Sequence, residues 1–269
     1  MMEALQKKAR ALLEAGTVKV VIGYAAGSDA QRCRAIFARQ PEQAQQLIWD
    51  ARCKQNLAAY LVKPEVKALG KPAIVARNAT LRTLLQYAAE SQLTDEAVLA
   101  LAVSDAGIVT ELPTFAAIEE YLAQQPRGLT PEQQQELARM AQLPLEERWA
   151  FWAGELSRCM KCYACRAACP LCYCTRCIVD VNQPQWIPVA STELGNLEWN
   201  VVRAMHLAGR CVDCGSCAEA CPEGIRLDLL NRVLAQEALT QFGAEPGYTT
   251  RREYALSAYK PDDKEEFIR

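Results

Sequence analysis

The chain of 269 residues has a single histidine and no residue pattern typical of a serine hydrolase, a metalloprotease or a nucleotide-binding loop. We interpret His206 as a packed or solvent-facing side chain, because a lone histidine on a helix is seldom a ligand or a base. The formal net charge of -2 gives no basic surface for nucleic acid. The longest apolar run, Ala97 to Val103, is too short to cross a membrane. The sequence therefore shows no catalytic constellation.

Cysteine is abundant, and eleven of the thirteen cysteines lie between Cys159 and Cys221. We expect a cytoplasmic protein with reduced thiols, because the first residues contain no apolar signal segment and the cytosol does not maintain disulfide frameworks. Two runs share the spacing C-x2-C-x2-C-x3-C-P: Cys159, Cys162, Cys165, Cys169, and Cys211, Cys214, Cys217, Cys221. This spacing is that of bacterial ferredoxins. A zinc site needs only four ligands, so we predict two [4Fe-4S] clusters and a role in electron transfer.

The ligands of the two clusters are expected to be exchanged between the runs. In ferredoxins with two clusters, the fourth cysteine of one run binds the cluster of the other run. The predicted sets are Cys159, Cys162, Cys165 and Cys221 for cluster 1, and Cys211, Cys214, Cys217 and Cys169 for cluster 2. Because this exchange ties the two runs together, we expect the surrounding domain to need iron and sulfide to hold its shape.

Three further cysteines, Cys172, Cys174 and Cys177, follow the first run directly. They can be interpreted as most of a third metal centre, iron–sulfur or zinc, that a distant ligand such as Cys53 completes. They can equally be buried thiols packed beside the first cluster, because free cysteine is among the most buried residue types. The sequence leaves both interpretations open.

The fold class predicted is α+β, with a small α/β domain before an α-helical dicluster ferredoxin domain. Apolar runs at 18–22, 72–76 and 98–103 predict strands that alternate with helices and form a mostly parallel sheet. Leu197, Val201, Met205 and Ala208 predict the apolar face of a helix before Cys211. The domains expected are 1–125 (α/β), 126–145 (a polar linker with one helix), 146–242 (ferredoxin) and 243–269 (an extended tail).

Partner contacts are predicted on exposed aromatic side chains and on the tail. Trp149, Trp152 and Trp186 are candidates, although the domain's own core can also bury the first two. The tail from Tyr248 onward has no helical periodicity and is expected to order against a partner.

The run from Glu155 to Cys174 and the run from His206 to Cys217 are similar to the iron–sulfur subunits found with heterodisulfide-reductase-like, formate dehydrogenase and hydrogenase complexes of anaerobes. The segment from Val18 to Val103 resembles the N-terminal region of the beta subunits of deazaflavin-reducing hydrogenases and dehydrogenases. Together these segments span most of the chain up to Phe242. The resemblance implies that the protein is a subunit of a multisubunit redox complex and has no transmembrane segment. In this complex it would relay electrons between a redox enzyme and a flavin-containing partner.

This sequence departs from the family at two points. Asn78 and Asp105 stand where related proteins carry further cysteines, and the flavin-binding region of the hydrogenase beta subunits is absent. We therefore expect no flavin and no catalytic residues of the chain's own. The alternative is an oxidoreductase whose N-terminal domain binds a flavin or a small substrate and receives electrons from the clusters.

Overall fold

The computed structural model describes residues 2–104, 106–181 and 183–251 of the protein. The strands are β1 Val20–Ala26, β2 Cys33–Ala38, β3 Pro72–Ala76, β4 Leu99–Val103 and β5 Val109–Leu112. The α-helices are α1 Met2–Glu14, α2 Pro64–Lys67, α3 Asn78–Ala89, α4 Phe115–Ala123, α5 Pro131–Gln142, α6 Leu145–Ser157, α7 Ala164–Ala168, α8 Glu193–Leu207, α9 Ser216–Glu219 and α10 Leu227–Phe242. Short 3-10 helices lie at Pro41–Gln46, Leu57–Tyr60 and Ile178–Asp180. The predicted α+β class is confirmed.

The five strands form one mixed sheet in the order β2-β1-β3-β4-β5. The central pairs β1–β3 and β3–β4 are parallel, whereas both edge strands pair antiparallel. The prediction of a mostly parallel sheet is therefore wrong at the edges. Each edge strand has one exposed or partly solvated face and lacks the continuous apolar run that marks the buried central strands.

Helices cover the sheet with apolar stripes that the sequence spacing sets. Leu5, Ala9 and Leu12 of α1 are buried at intervals of three and four residues, as the helical period requires. Gly23 in β1 allows a close approach that no larger residue would permit, because a Cβ atom there would lie 2.3 Å from Leu47 Cδ2. The 3-10 helix that begins at Pro41 therefore packs directly on β1.

The second half is helical, and the polar helix expected between the halves is α5. Thr130 caps α5 together with Gln133, and each side chain bonds the backbone of the other residue. Gln133 also donates to Asp213, and Glu136 pairs with Arg226 at 2.6 Å. Helix α5 thus packs against the cysteine-rich half. The domain limits at residues 125 and 145 stay a prediction.

Buried polar contacts join the two halves. Tyr87 Oη of α3 donates to the carbonyl of Pro170 at 2.6 Å. Arg210 donates from two nitrogens to the carboxylate of Glu90, at 2.6 and 2.7 Å. Leu171 and Val212 belong to the same hydrophobic core as the sheet. The second cysteine run is therefore anchored on α3.

The chain after α10 packs on the first half as far as Arg251. Gly243 ends α10 with φ of 63°, and Tyr248 lies between the guanidinium groups of Arg82 and Arg127, at 4.4 and 4.5 Å. Arg82 also donates to the carbonyl of Pro246 at 2.9 Å. Residues 243–251 form neither helix nor strand, and these contacts hold them to the chain itself without a partner. The limit of the tail at residue 243 stays a prediction. Residues 252–269 of the predicted tail lie outside the described residues.

Within the described ranges, every helix is too short or too polar to cross a membrane.

Candidate metal centres

The two cysteine runs have the same local backbone. Lys161 and Asp213, each two residues after the first cysteine of its run, have φ of 54° and 52°. Their backbone N–H groups donate to Cys159 Sγ and Cys211 Sγ, both at 3.4 Å. A left-handed residue in a tight loop turns successive N–H groups toward one point and favours an anion there. The sequence repeat is thus also a structural repeat suited to anionic sulfur.

Each predicted ligand set lines one cavity. The first cavity is lined by Cys159, Cys162, Cys165 and Cys221, and the second by Cys169, Cys211, Cys214 and Cys217. The short helices α7 and α9 pack against each other. They carry Cys165 and Cys217; Cys169 follows α7 directly, and Cys221 lies two residues after the end of α9. The fourth cysteine of each run therefore lies in the cavity of the other run.

The two cavities differ in their exposure. Cys162 in the first cavity is exposed, and the neighbouring Met160 is 52% exposed. In the second cavity, by contrast, Cys169, Cys211 and Cys214 pack against the hydrophobic core of the sheet half. Burial raises the pKa of Cys217 to about 12. Because metal ligands must lose their protons, filling the second cavity releases protons that these thiols otherwise hold at neutral pH.

Two buried donors without a partner are suited to the sulfurs of a cluster in these cavities. Trp199 Nε1 and Arg203 Nε are buried and find no hydrogen-bond acceptor in the protein. Trp199 lines the first cavity and Arg203 the second. An unsatisfied buried donor costs about 1–3 kcal/mol, and the sulfurs of a cluster would accept these hydrogen bonds. The eight cysteines would hold two clusters, each of which supplies a one-electron couple when bound.

A third cavity, of about 230 Å³, is lined by Cys172, Cys174 and Cys177 together with Arg203 and His206. The third centre predicted at these three cysteines stays a prediction. In the described part of the chain, no three Cys, His, Asp or Glu side chains lie close enough to hold a single metal ion.

Cys53 lies apart from the third cavity. Its Sγ is 3.8 Å from the carbonyl oxygen of Ile48, and its own carbonyl accepts from Arg77. The side chain is fully buried in the core of the sheet half, and burial raises the pKa of its thiol to about 12. Cys53 is thus not placed to complete a centre with Cys172, Cys174 and Cys177.

The face of helix α8 that packs against the cavities is opposite to the apolar face that the sequence predicts. Val201 and Met205 of the predicted apolar face are 41% and 57% exposed. The buried face carries polar side chains that bond the backbone of the first run. Asn196 Nδ2 donates to the carbonyl of Cys159 at 2.6 Å, and Arg203 Nη2 donates to that of Cys165 at 3.1 Å. Sequence periodicity missed these residues because it scores a buried face by its apolar content.

Comparison with known proteins finds similar sequences. Residues 158–226 match the 4Fe-4S dicluster domain family. Over 108 residues, which are 39% of this chain and 26% of the relative, the sequence is 32% identical to the "F420-dependent formate dehydrogenase subunit beta" of Methanocaldococcus jannaschii. Over 67 residues, 24% of this chain and 16% of the relative, it is 30% identical to the "F420-dependent formate dehydrogenase 1 subunit beta" of Methanococcus maripaludis. The match spans about a quarter or less of each relative's length.

Residues 158–226 are therefore similar to 4Fe-4S dicluster domains, a class of iron–sulfur domain. The predicted resemblance to iron–sulfur subunits of formate dehydrogenase complexes is confirmed.

Proposed function

We propose that this protein is an electron-transfer subunit with two [4Fe-4S] clusters. Cys159, Cys162, Cys165 and Cys221 would hold cluster 1; Cys211, Cys214, Cys217 and Cys169 would hold cluster 2. The observation that carries the proposal is that each of two cavities is lined by three cysteines of one run and the fourth of the other. This arrangement is that of ferredoxins with two clusters.

The two cavities would form the two ends of the path of electrons, because one lies at the surface and the other lies against the sheet half. Cys162 and Met160 bring the first cavity to the surface, where another protein can approach it. The second cavity lies against the sheet half, where Cys169 and Cys214 pack on the core. Arg203 lines the second cavity and bonds the backbone of Cys165 in the first, so one side chain connects both. This protein's part in the transfer is to hold the clusters in series and to exclude water from the inner one.

The exposed apolar face of α8 supports docking to other subunits. Leu194, Val201 and Met205 project from this helix and are 76%, 41% and 57% exposed. Trp186, at 59%, precedes the helix, and Trp149, also at 59%, lies on α6, which packs against it. Such a group of apolar side chains is typical of an interaction site. Trp152 instead lines a cavity between α5, α6 and α10, so we no longer assign it to the docking surface.

The partners we propose are those of an anaerobic oxidoreductase complex of the formate dehydrogenase, hydrogenase or heterodisulfide-reductase-like type. The relatives named as formate dehydrogenase beta subunits support the first of these. In such a complex, located in the cytoplasm, the protein relays electrons between a redox enzyme and a flavin-containing partner.

A third centre at Cys172, Cys174 and Cys177 is a second, separate proposal, which about twelve iron atoms per chain in place of about eight would support. The cavity that these cysteines share supports it. The ligand that would complete the centre must come from that cavity and not from Cys53. His206 lines the cavity and is the one histidine of the chain. No three donors in the described residues lie close enough to hold a single metal ion, so this proposal rests on the shared cavity alone.

A flavin- or substrate-binding enzyme is the alternative function. The sheet half has an open cleft of about 470 Å³ that Lys67, Lys71 and Gln92 help to line. However, Pro72 and Ala97 place it at the amino ends of β3 and β4. Ligands of open α/β sheets bind outside the carboxyl ends of the strands. The cleft therefore gives this alternative little support.

The visible spectrum of the anaerobically purified protein distinguishes the two functions. We expect broad absorbance that falls on reduction, without flavin bands, because the eight cysteines would bind clusters and no phosphate-binding loop is present to hold a flavin. Acid extraction is expected to release no flavin from the natural chain. Stoichiometric flavin in the extract would contradict the non-catalytic role and favour the alternative.

A further inference from the structure

Arg203 is a buried cation at the junction of the two cluster cavities. It lies on α8, is 3% exposed, and donates from Nη2 to the carbonyl of Cys165. Its Nε has no hydrogen-bond acceptor in the protein. The side chain lines the second and third cavities, and its charge faces Cys172 of the third cavity most strongly. It also faces three cysteines of the predicted clusters, Cys169, Cys165 and Cys217. These cysteines come from both predicted ligand sets.

No carboxylate neutralises this guanidinium, in contrast to the other charged groups around the second cavity. Among the described residues, Arg203 takes part in no ion pair. Asp213 and Asp228 also line the cavity, but Arg232 pairs with Asp213 at 2.9 Å and Arg226 with Asp228 at 3.0 Å. A buried arginine without a counter-charge is costly, and the protein would not keep one at this place without an anion nearby.

We infer that Arg203 is a shared counter-cation for both clusters and that its charge raises the reduction potential of each. This inference rests on the proposed function. A [4Fe-4S] cluster with four thiolates is anionic and gains one more negative charge when it is reduced, so a nearby cation stabilises the reduced state. In a buried site water screens this attraction weakly. Arg203 is thus a positioning and tuning residue.

The test compares two variants that differ in charge. Arg203→Gln removes the charge and keeps hydrogen-bond donors, whereas Arg203→Lys keeps the charge. Midpoint potentials are measured by redox titration of the paramagnetic resonance signals, and iron is counted in the same samples. We expect Arg203→Gln to shift both potentials to more negative values with unchanged iron. Arg203→Lys is expected to stay close to the natural protein.

Lys54→Gln is the matched control for charge. Lys54 pairs with Glu219 of α9, next to the second run, but its side chain is 58% exposed. Removing this cation changes the net charge by the same amount, yet water and salt screen its effect. Both potentials are expected to be unchanged.

The inference would be overturned if iron-replete Arg203→Gln left both potentials unchanged or shifted the potential of one cluster alone. It would also be overturned by an equal shift of the potentials in Arg203→Lys, or by loss of iron from both variants. The last would show that the shape of the side chain matters and not its charge. Loss of iron from Arg203→Gln alone would support the inference, because charge would then be needed to retain the clusters. If the natural protein itself contains no clusters, the proposed function fails and this inference fails with it, whereas unchanged potentials in a cluster-containing Arg203→Gln overturn this inference alone.

Discussion

Replacing Cys169 by alanine is expected to destroy the cluster held by Cys211, Cys214 and Cys217 and to spare the one nearer in sequence. Cys169 lines the second cavity and not the first, so its loss leaves the second cluster with three ligands. Iron should fall from about eight atoms to about four per chain. The reduced protein should lose one of its two paramagnetic resonance signals.

Three further alanine variants identify which cluster is lost. Cys214→Ala removes a ligand of the second set whose assignment does not depend on the exchange. Cys162→Ala removes a ligand of the same kind from the first set. We expect the spectrum of Cys169→Ala to match that of Cys214→Ala, and the spectrum of Cys221→Ala to match that of Cys162→Ala. If Cys169→Ala matches Cys162→Ala instead, the fourth cysteines are not exchanged and the assignment of both sets fails.

Removal of the Glu90 carboxylate is expected to cost about 3–5 kcal/mol of stability. The Glu90 side chain is 7% exposed and accepts two hydrogen bonds from Arg210, so Glu90→Ala removes the carboxylate that faces this partly buried cation between the halves. The urea concentration at half-unfolding, followed by circular dichroism without oxygen, should fall clearly. Glu14→Ala is the control, because its pair with Arg10 is exposed and contributes about 1 kcal/mol or less. An equal effect of both changes would contradict the role given to Glu90.

The contribution of Glu90 should also depend on pH. Burial raises the pKa of this carboxyl, but the hydrogen bonds and charge of Arg210 outweigh burial and lower it below the usual value. A carboxyl with a lowered pKa stabilises the fold above its unfolded pKa, which is about 4.3 for glutamate. That stability is lost as the pH falls through the folded pKa. The unfolding curves of the natural protein and Glu90→Ala should therefore converge in acid.

The parts of the fold that follow from local sequence were predictable. The apolar runs of β3 and β4 mark buried central strands, and Thr130 with Gln133 marks the start of α5. The edge strands β2 and β5 were not predicted, because their residues alternate imperfectly and only pairing with β1 and β4 makes them strands.

The candidate site divides in the same way. The spacing of the two cysteine runs predicts two ligand sets, because the local turn alone fixes the relative positions of its three thiolates. The role of Arg203 could not be predicted, since nothing in the sequence distinguishes a buried arginine from a solvated one. The buried face of α8 was missed for a related reason: its side chains bond the carbonyls of Cys159 and Cys165, which only the folded chain brings near.

The most direct test of the central claim is the count of iron and acid-labile sulfide in the chain after purification without oxygen. Two [4Fe-4S] clusters predict about eight iron atoms and about eight sulfides. The same count is expected for the double variant Cys174→Ala, Cys177→Ala. About twelve iron atoms in the natural chain would indicate a third cluster in addition. Iron near zero with stoichiometric zinc, or about four irons in the double variant, would contradict a two-cluster protein.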